Sequence, residues 1–283
     1  MINYKRCSEV DLQKVYDAFS IGFSDYIIKI EMPMDVFIER FFGAEGNSLE
    51  TSFIALDNER PIGLVLGGVK VYEGIKTMRC GTMAIDPSYR GLGVSKELMR
   101  LHRKEAIKKE CKQLFLEVIV GNDRAINFYK KTGYEKIYDL YYFSTDNLNI
   151  IEQKFNSEVD IKEINFQELK SFSEKSIDVH INWQNAMDYI EKLKGQKNYG
   201  VYFNNELVAV ISANINSKIN YIYVAKKYRG KNIAASLIRH AIMELNLSKL
   251  SIGLPNNASI IGFLKKIGFS RDNISQYEMY CNL

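Results

Sequence analysis

The sequence repeats itself, and a chain that repeats over a domain-sized interval folds as copies of one unit. Met83-Ala-Ile-Asp-Pro-Ser-Tyr-Arg-Gly91 is echoed by Tyr221-Ile-Tyr-Val-Ala-Lys-Lys-Tyr-Arg-Gly230. Asn122 to Tyr134 is echoed by Asn257 to Phe269, the first ending Lys-Lys-x-Gly-Tyr and the second Lys-Lys-x-Gly-Phe. The offset is 139 positions between Arg90 and Arg229 but 135 between Asn122 and Asn257, so the second copy is four residues shorter between those landmarks. A length of 283 residues suits two domains of ordinary size. The polar stretch from Asp146 to Asn156 separates them, giving a first domain at 1–147 and a second at 157–283.

Each copy reads as alternating strands and helices. In the first, Ser8 stands as a helix cap with Asp11 three residues on, which predicts a helix from Glu9 to Phe19. Another is expected from about Met34 to Phe42, where the apolar spacing is helical and Pro33 blocks extension backwards. Ser52 to Leu56 and Pro61 to Leu66 read as strands, and a third strand ends at Ile85. A long helix from Gly91 to Glu110 precedes a strand at Leu114 to Ile119 and a helix ended by Gly133. Short strands near Lys136 and Tyr141 are expected to close the unit. The fold class is α/β (α+β): in each copy a mixed, mostly antiparallel twisted sheet flanked by helices.

Composition excludes several classes. The four cysteines (Cys7, Cys80, Cys111, Cys281) form no CxxC pair, and the three histidines are isolated, so neither a disulfide framework nor a metal site is expected. The apolar runs are strand-sized, and the N-terminus has no secretory h-region, so no membrane partner and a cytoplasmic location are expected. A net charge of +4 is too small to indicate nucleic acid. Its distribution says more: residues 1–50 carry five Lys/Arg against nine Asp/Glu, and residues 90–136 carry twelve against six. A basic middle suits a polyanionic small molecule, and an acidic front suits an amine.

The chemistry concentrates after Ile85. There a strand ends, Gly91 and Gly93 allow a tight turn, and a helix begins through Val94 and Ser95. Successive N–H groups at such a helix start, with the helix dipole behind them, make an anion site that fits a diphosphate. Arg90 can add a charge-assisted contact. A dinucleotide fingerprint needs glycine where Lys96 stands, and the P-loop pattern is absent.

The turn resembles the Arg/Gln-x-x-Gly-x-Gly/Ala pattern of the GNAT acetyltransferase superfamily at Arg90, Gly93 and position 95, with Ser95 as the last small residue. Leu116-Glu117-Val118, Asn122, Ala125, Phe128-Tyr129 and Gly133-Tyr134 resemble that superfamily's second signature, so the match covers the whole first copy in order. The resemblance implies an N-acetyltransferase using acetyl-coenzyme A, in a tandem form with a degenerate second copy. It implies that Met83 and Ile85 offer main-chain groups to the pantetheine arm, with Arg90, Gly91, Leu92, Gly93, Val94 and Ser95 around the diphosphate. Asn122 would orient the cofactor or a loop. Tyr129 would be the acid that protonates the departing thiolate, and Glu117 the base that takes the amine's proton through water.

At the positions of Glu117 and Tyr129 the second copy has Ile252 and Leu264, so it is expected to be non-catalytic. Whether it binds coenzyme A stays open, because Arg229 and Ala234 remain there while the first motif glycine is Asn232. The acceptor is a primary amine of a small molecule or peptide, received near Asp25 and Tyr26, with Glu31 and Asp35 as further acidic candidates. A non-catalytic acyl-coenzyme A-binding or scaffold protein is the alternative, and retention of Tyr129 and Glu117 opposes it. The tandem pair points to a monomer, with a dimer left open.

Overall fold

The computed structural model describes residues 1–152, 159–176 and 179–283. They form two compact units: Met1–Ile137 together with Tyr277–Leu283, and Tyr138–Gln276.

In the first unit β1 (Ile2–Arg6), β2 (Ser48–Asp57), β3 (Arg60–Tyr72) and β4 (Ile75–Ile85) pair antiparallel in that order, and β5 (Gln113–Ile119) joins β4 in parallel. A parallel partner needs a long crossover. Here it is α3 (Val94–Lys108), which follows α1 (Leu12–Gly22) and α2 (Met34–Ile38) along the chain. Both faces of the sheet are covered, so its strands are apolar on both sides. Leu64 and Leu66 of β3 pack with Phe19 of α1 and Phe37 of α2. Val65 faces the other way and packs with Leu98 of α3 and Ile126 of α4 (Asp123–Lys131).

The helix starts show which polar residue wins a cap. Ser8 lies in a short 3-10 turn, Cys7–Glu9, and Asp11 caps α1 instead by accepting from the Gln13 N–H at 2.8 Å. Val10 between them is extended (φ −131), so the helix expected from Glu9 begins three residues later. The helix expected to Phe42 ends at Ile38 and widens into a π turn, Glu39–Ala44.

The largest difference from the sequence reading lies after Gly133. One strand, β6 (Glu135–Thr145), replaces the two short strands expected there, since no Gly, Pro or Asn interrupts it. It leaves the first unit at Ile137 and pairs antiparallel with β11 (Leu250–Pro255) of the second, from Thr145↔Leu250 to Leu140↔Pro255. The last strand, β12 (Ser270–Asn282), makes the reverse journey, and its final residues lie beside β5. The compact units therefore divide within β6, upstream of the polar stretch 146–156, whose last four residues lie outside the described residues.

The second unit repeats the first. After the short α5 (Asn149–Glu152), β7 (Ile161–Glu163), β8 (Gln196–Phe203), β9 (Glu206–Asn214) and β10 (Lys218–Val224) run antiparallel, and β11 joins β10 in parallel. Its helices are α6 (Phe166–Ser176), the short α7 (Met187–Ile190), α8 (Ile233–Leu245) and α9 (Ala258–Lys266). Its core, around Ala209, Ile219, Leu237 and Leu264, is its own.

The returning strand is part of the first unit's core, because Met279 is fully buried there. Met279→Ala is expected to cost about 2–5 kcal/mol and to lower the melting midpoint by roughly 5–15 °C. An unchanged midpoint in calorimetry would mean that this strand is peripheral.

Candidate active site

The site begins with one extra residue. The β3–β4 register runs Leu66↔Thr82, then Gly67↔Cys80, leaving Gly81 as a bulge. A Cβ on Gly81 would fall 2.2 Å from the side-chain oxygen of Asn47, so only glycine fits beside that asparagine. A bulge bends its strand and ends regular pairing. Parallel pairs between β4 and β5 run from Thr77↔Gln113 to Cys80↔Leu116 and stop. Beyond them, Thr82–Ile85 and Glu117–Ile119 part. The Asp86 N–H bonds the Ile62 oxygen at 2.9 Å on the β3 side. By alternation Met83 and Ile85 then turn their main-chain groups the other way, into the gap.

At the mouth of the gap is the start of α3. Gly91 and Gly93 sit at φ +81 and +87, left-handed conformations that favour glycine. The first helical bond there runs from the Glu97 N–H to the Gly93 oxygen at 3.1 Å, so the N–H groups of Val94, Ser95 and Lys96 precede it. No side chain caps this helix, whereas Asp11 caps α1 and Asn122 caps α4. Free donors at the positive end of a helix, beside an unpaired strand edge, suit an anion attached to an extended amide chain. Leu92 lies exposed on this turn.

Arg90 and Asp25, expected to serve different ligands, are paired with each other. Arg90 Nη2 contacts Asp25 Oδ1 at 2.6 Å, and Nη1 contacts the other oxygen. Arg90 also donates to the Gly22 and Ile85 carbonyls, both at 3.1 Å. The guanidinium thus ties the end of α1 to the end of β4, and it holds the Asp25 carboxyl below its usual range. Asn122 accepts from the Ala125 N–H at 3.2 Å and donates to the Tyr26 hydroxyl, so it orients the loop that carries Tyr26. Tyr26 also lines a cavity of about 730 Å³ against α1, with Tyr16, Phe23 and Glu31. Glu31 pairs there with Lys29 at 3.0 Å, and Asp35 lies on the exposed first turn of α2.

Tyr129 and Glu117 flank the gap from opposite faces of the sheet. Tyr129 packs with Leu116 and Val118, whose side chains alternate with Glu117 along β5. Its hydroxyl donates to Cys80 at the last paired position, and burial pushes its pKa well above the ordinary value. The group therefore stays protonated throughout the neutral range. Burial also pushes the Cys80 thiol up to about 12.

On the other face the Glu117 side chain is 3% exposed, with Oε2 held by Arg79, which also holds Glu45. Its second oxygen, Oε1, has no hydrogen-bond partner among the described residues. Burial raises the Glu117 pKa, Arg79 opposes that, and the charges of Glu278 and Glu45 add to it. A buried carboxylate with one free oxygen and a raised pKa is a better proton acceptor near neutrality than a solvated one. Arg79, Glu45, Cys80 and Glu278 were not among the sequence candidates. Arg79 had a signal, a lone charge between the apolar Met78 and Cys80, while Glu278 had none, because the last strand belongs by position to the other copy.

Among the described residues no group of three or more His, Cys, Asp or Glu could hold a metal, and no helix is long and apolar enough to cross a membrane. The model of the acetyltransferase (GNAT) family matches residues 13–134 and again 159–269. The chain belongs to the acetyltransferase (GNAT) family. Members use acetyl-coenzyme A, and the gap, the uncapped helix and the free strand edge fit its diphosphate and pantetheine arm. N-alpha-acetyltransferase 30 of Schizosaccharomyces pombe is 32% identical over 124 residues, covering 42% of this chain and 81% of that protein. The protein of that name from Saccharomyces cerevisiae is 26% identical over 108 residues, 36% of this chain and 60% of its own length. A tandem GNAT protein from the clavulanic acid biosynthesis pathway shares the fold over all of this chain and 98% of its own, with a TM-score of 0.70 at 12% identity.

The charges around Glu117 give this GNAT protein a pH signature. Glu278→Gln removes a negative charge that raises the Glu117 pKa, so that pKa falls. If Glu117 works as a base, the acid limb of the kcat/KM profile moves to lower pH in the variant. A limb that stays in place, or moves up, would contradict this electrostatic assignment.

Proposed function

We propose that the first unit transfers the acetyl group of acetyl-coenzyme A to a primary amine, with the α-amine of a peptide as the favoured acceptor. The parting of β4 and β5 beyond Cys80↔Leu116 carries this reading, because it leaves main-chain groups unpaired beside the free N–H groups of α3. The names of the curated relatives support the α-amine. The aromatic cavity beside α1, lined by Tyr16, Phe23 and Tyr26, offers room for the acceptor, with Glu31 there paired with Lys29.

Acetyl-coenzyme A supplies an acetyl group activated as a thioester. An ammonium has no lone pair, so the acceptor must lose a proton before it attacks, and Glu117 Oε1 receives that proton through a bridging water. Arg79 holds the other carboxylate oxygen and fixes the direction of the free one. On the opposite face the Tyr129 hydroxyl turns away from Cys80 and supplies a proton to the departing sulfur, and it is reprotonated by the second proton that the nitrogen sheds as the amide forms. The main-chain N–H of Met83 or Ile85, facing the gap, steadies the oxyanion, an interaction worth ~3 kcal/mol when aligned. Asp25 keeps Arg90 in place and with it the floor of the gap, and Tyr26 lines the acceptor side. The second unit, with Ile252 and Leu264 at the matching positions, has nothing to move a proton and does not turn over.

The test is acetyl transfer to short peptides with free or blocked α-amines. Transfer is expected only to the free ones. Glu117→Gln and Tyr129→Phe are each expected to lower kcat by about 10²–10⁴-fold, the first most severely above the acid limb, where the wild-type carboxylate is ionised and able to take the proton. Wild-type rates in both variants would overturn the assignment. Binding of acetyl-coenzyme A without transfer to any amine would favour the scaffold alternative.

A further inference from the structure

Arg79 divides its fork between two carboxylates. One branch, Nη1, pairs with Glu45, and the other, Nη2, pairs with Oε2 of Glu117. A guanidinium that meets a single carboxylate commonly takes both of its oxygens, one with each branch. Here Glu45 claims one branch, and Glu117 Oε1 is left without a partner among the described residues. All three side chains are buried. A buried charged group left half paired is costly, so the branch that Glu45 holds would need another anion in its absence.

The irregular end of α2 delivers Glu45 to this place. In the π turn the Glu45 N–H reaches the Arg40 oxygen at 3.1 Å, and the Asn47 N–H reaches back to the Phe41 oxygen at 3.1 Å. Wide turns of this kind occur often at functional sites. The exit from the turn lies flat on the sheet, because a Cβ on Gly68 would overlap the Gly46 carbonyl and a Cβ on Gly81 would overlap Asn47. Glu45 and Asn47, two residues apart, therefore meet Arg79 and Gly81, also two residues apart on β4. Asn47 is fixed in turn by donating to the Phe41 oxygen at 2.8 Å. Phe41 packs edge-on against Phe19 at 5.0 Å, and Phe19 lines the aromatic cavity beside α1. One short segment thus borders that cavity, the strand bulge and the counter-ion of the base.

We propose that Glu45 is a positioning residue, which engages one branch of Arg79 so that the guanidinium binds only one oxygen of Glu117. Its role presupposes Glu117 as the base and adds what keeps that base open. The groups facing Glu117 are Arg79 from β4, Glu45 from the end of the π turn and Glu278 from β12. Tyr72 of β3 and Tyr280 of β12 lie in the same cluster, and burial pushes the Tyr72 pKa up, so that hydroxyl stays neutral. Arg40, which reaches the other Glu45 oxygen at 3.7 Å, is exposed and can turn away from a neutral side chain.

The experiment compares Glu45→Gln, Glu45→Ala and Glu117→Gln in peptide acetylation across pH, with acetyl-coenzyme A binding measured on each chain. Glutamine keeps an oxygen for Arg79 Nη1 but removes a negative charge beside Glu117, so the acid limb of kcat/KM moves to lower pH. Its plateau kcat is expected to stay within about threefold of the wild type. Alanine empties the branch, and Arg79 then closes on both oxygens of Glu117. The limb moves further down, and plateau kcat falls about tenfold or more. Acetyl-coenzyme A binding is expected to be unchanged in both, which separates positioning from damage to the fold. Should the alanine chain not fold, the direction of the glutamine shift decides alone. A limb that stays or rises in Glu45→Gln, or a wild-type plateau in Glu45→Ala, would overturn the proposal, while loss of turnover in Glu117→Gln keeps the base assigned. Wild-type turnover in Glu117→Gln would remove the base and this proposal with it.

Discussion

The decision of β4 to leave β5 after Cys80 governs the rest of the first unit. Parallel strands normally pair along their length, because unpaired main-chain groups cost free energy wherever water is excluded. Here the extra residue at Gly81 turns the strand, and Asn47 fills the space a side chain would need. The edge left bare is the one that an extended amide chain can cover. The same bulge reverses which main-chain groups face β3, and so aims Met83 and Ile85 into the gap. Fold and binding surface are one feature seen from two sides.

Around that gap the sheet keeps its two faces chemically distinct. On the α3 and α4 face Tyr129 is buried among apolar side chains and cannot ionise near neutrality. On the other face Glu117 shares Arg79 with Glu45, with Glu278 close enough to raise its pKa. Arg40 also reaches Glu45 at 3.7 Å, and burial makes each of these charges more costly. Burial is the first cause of the raised Glu117 pKa, and the charges of Glu278 and Glu45 add to it. Glu278 lies on the returning strand, so the first unit's electrostatics depend on the last residues of the chain.

Much of this was legible in the sequence. The repeat fixed the number of units, and the two glycines before Val94 located the uncapped helix, since their positive φ leaves few other choices. The pairing of β6 and β12 was not legible. Each follows a Lys-Lys-x-Gly-aromatic helix end, so each carries the same local pattern whichever unit it joins. Nor was the Arg90–Asp25 bridge, because the sequence offered Arg90 an anion and Asp25 a cation without saying that each would meet the other. Ser8 and Asp11 were both good caps, and the extended Val10 between them decided for Asp11.

Amide hydrogen exchange on the full chain, with and without coenzyme A, tests the central claim most directly. If the parted strands hold the pantetheine arm, exchange slows at Met83 and Ile85 and at Val94 to Lys96, while the paired stretch Thr77 to Cys80 is unchanged. Unaltered exchange across Thr82–Ile85 at a saturating concentration would contradict it, whatever happened elsewhere in the chain.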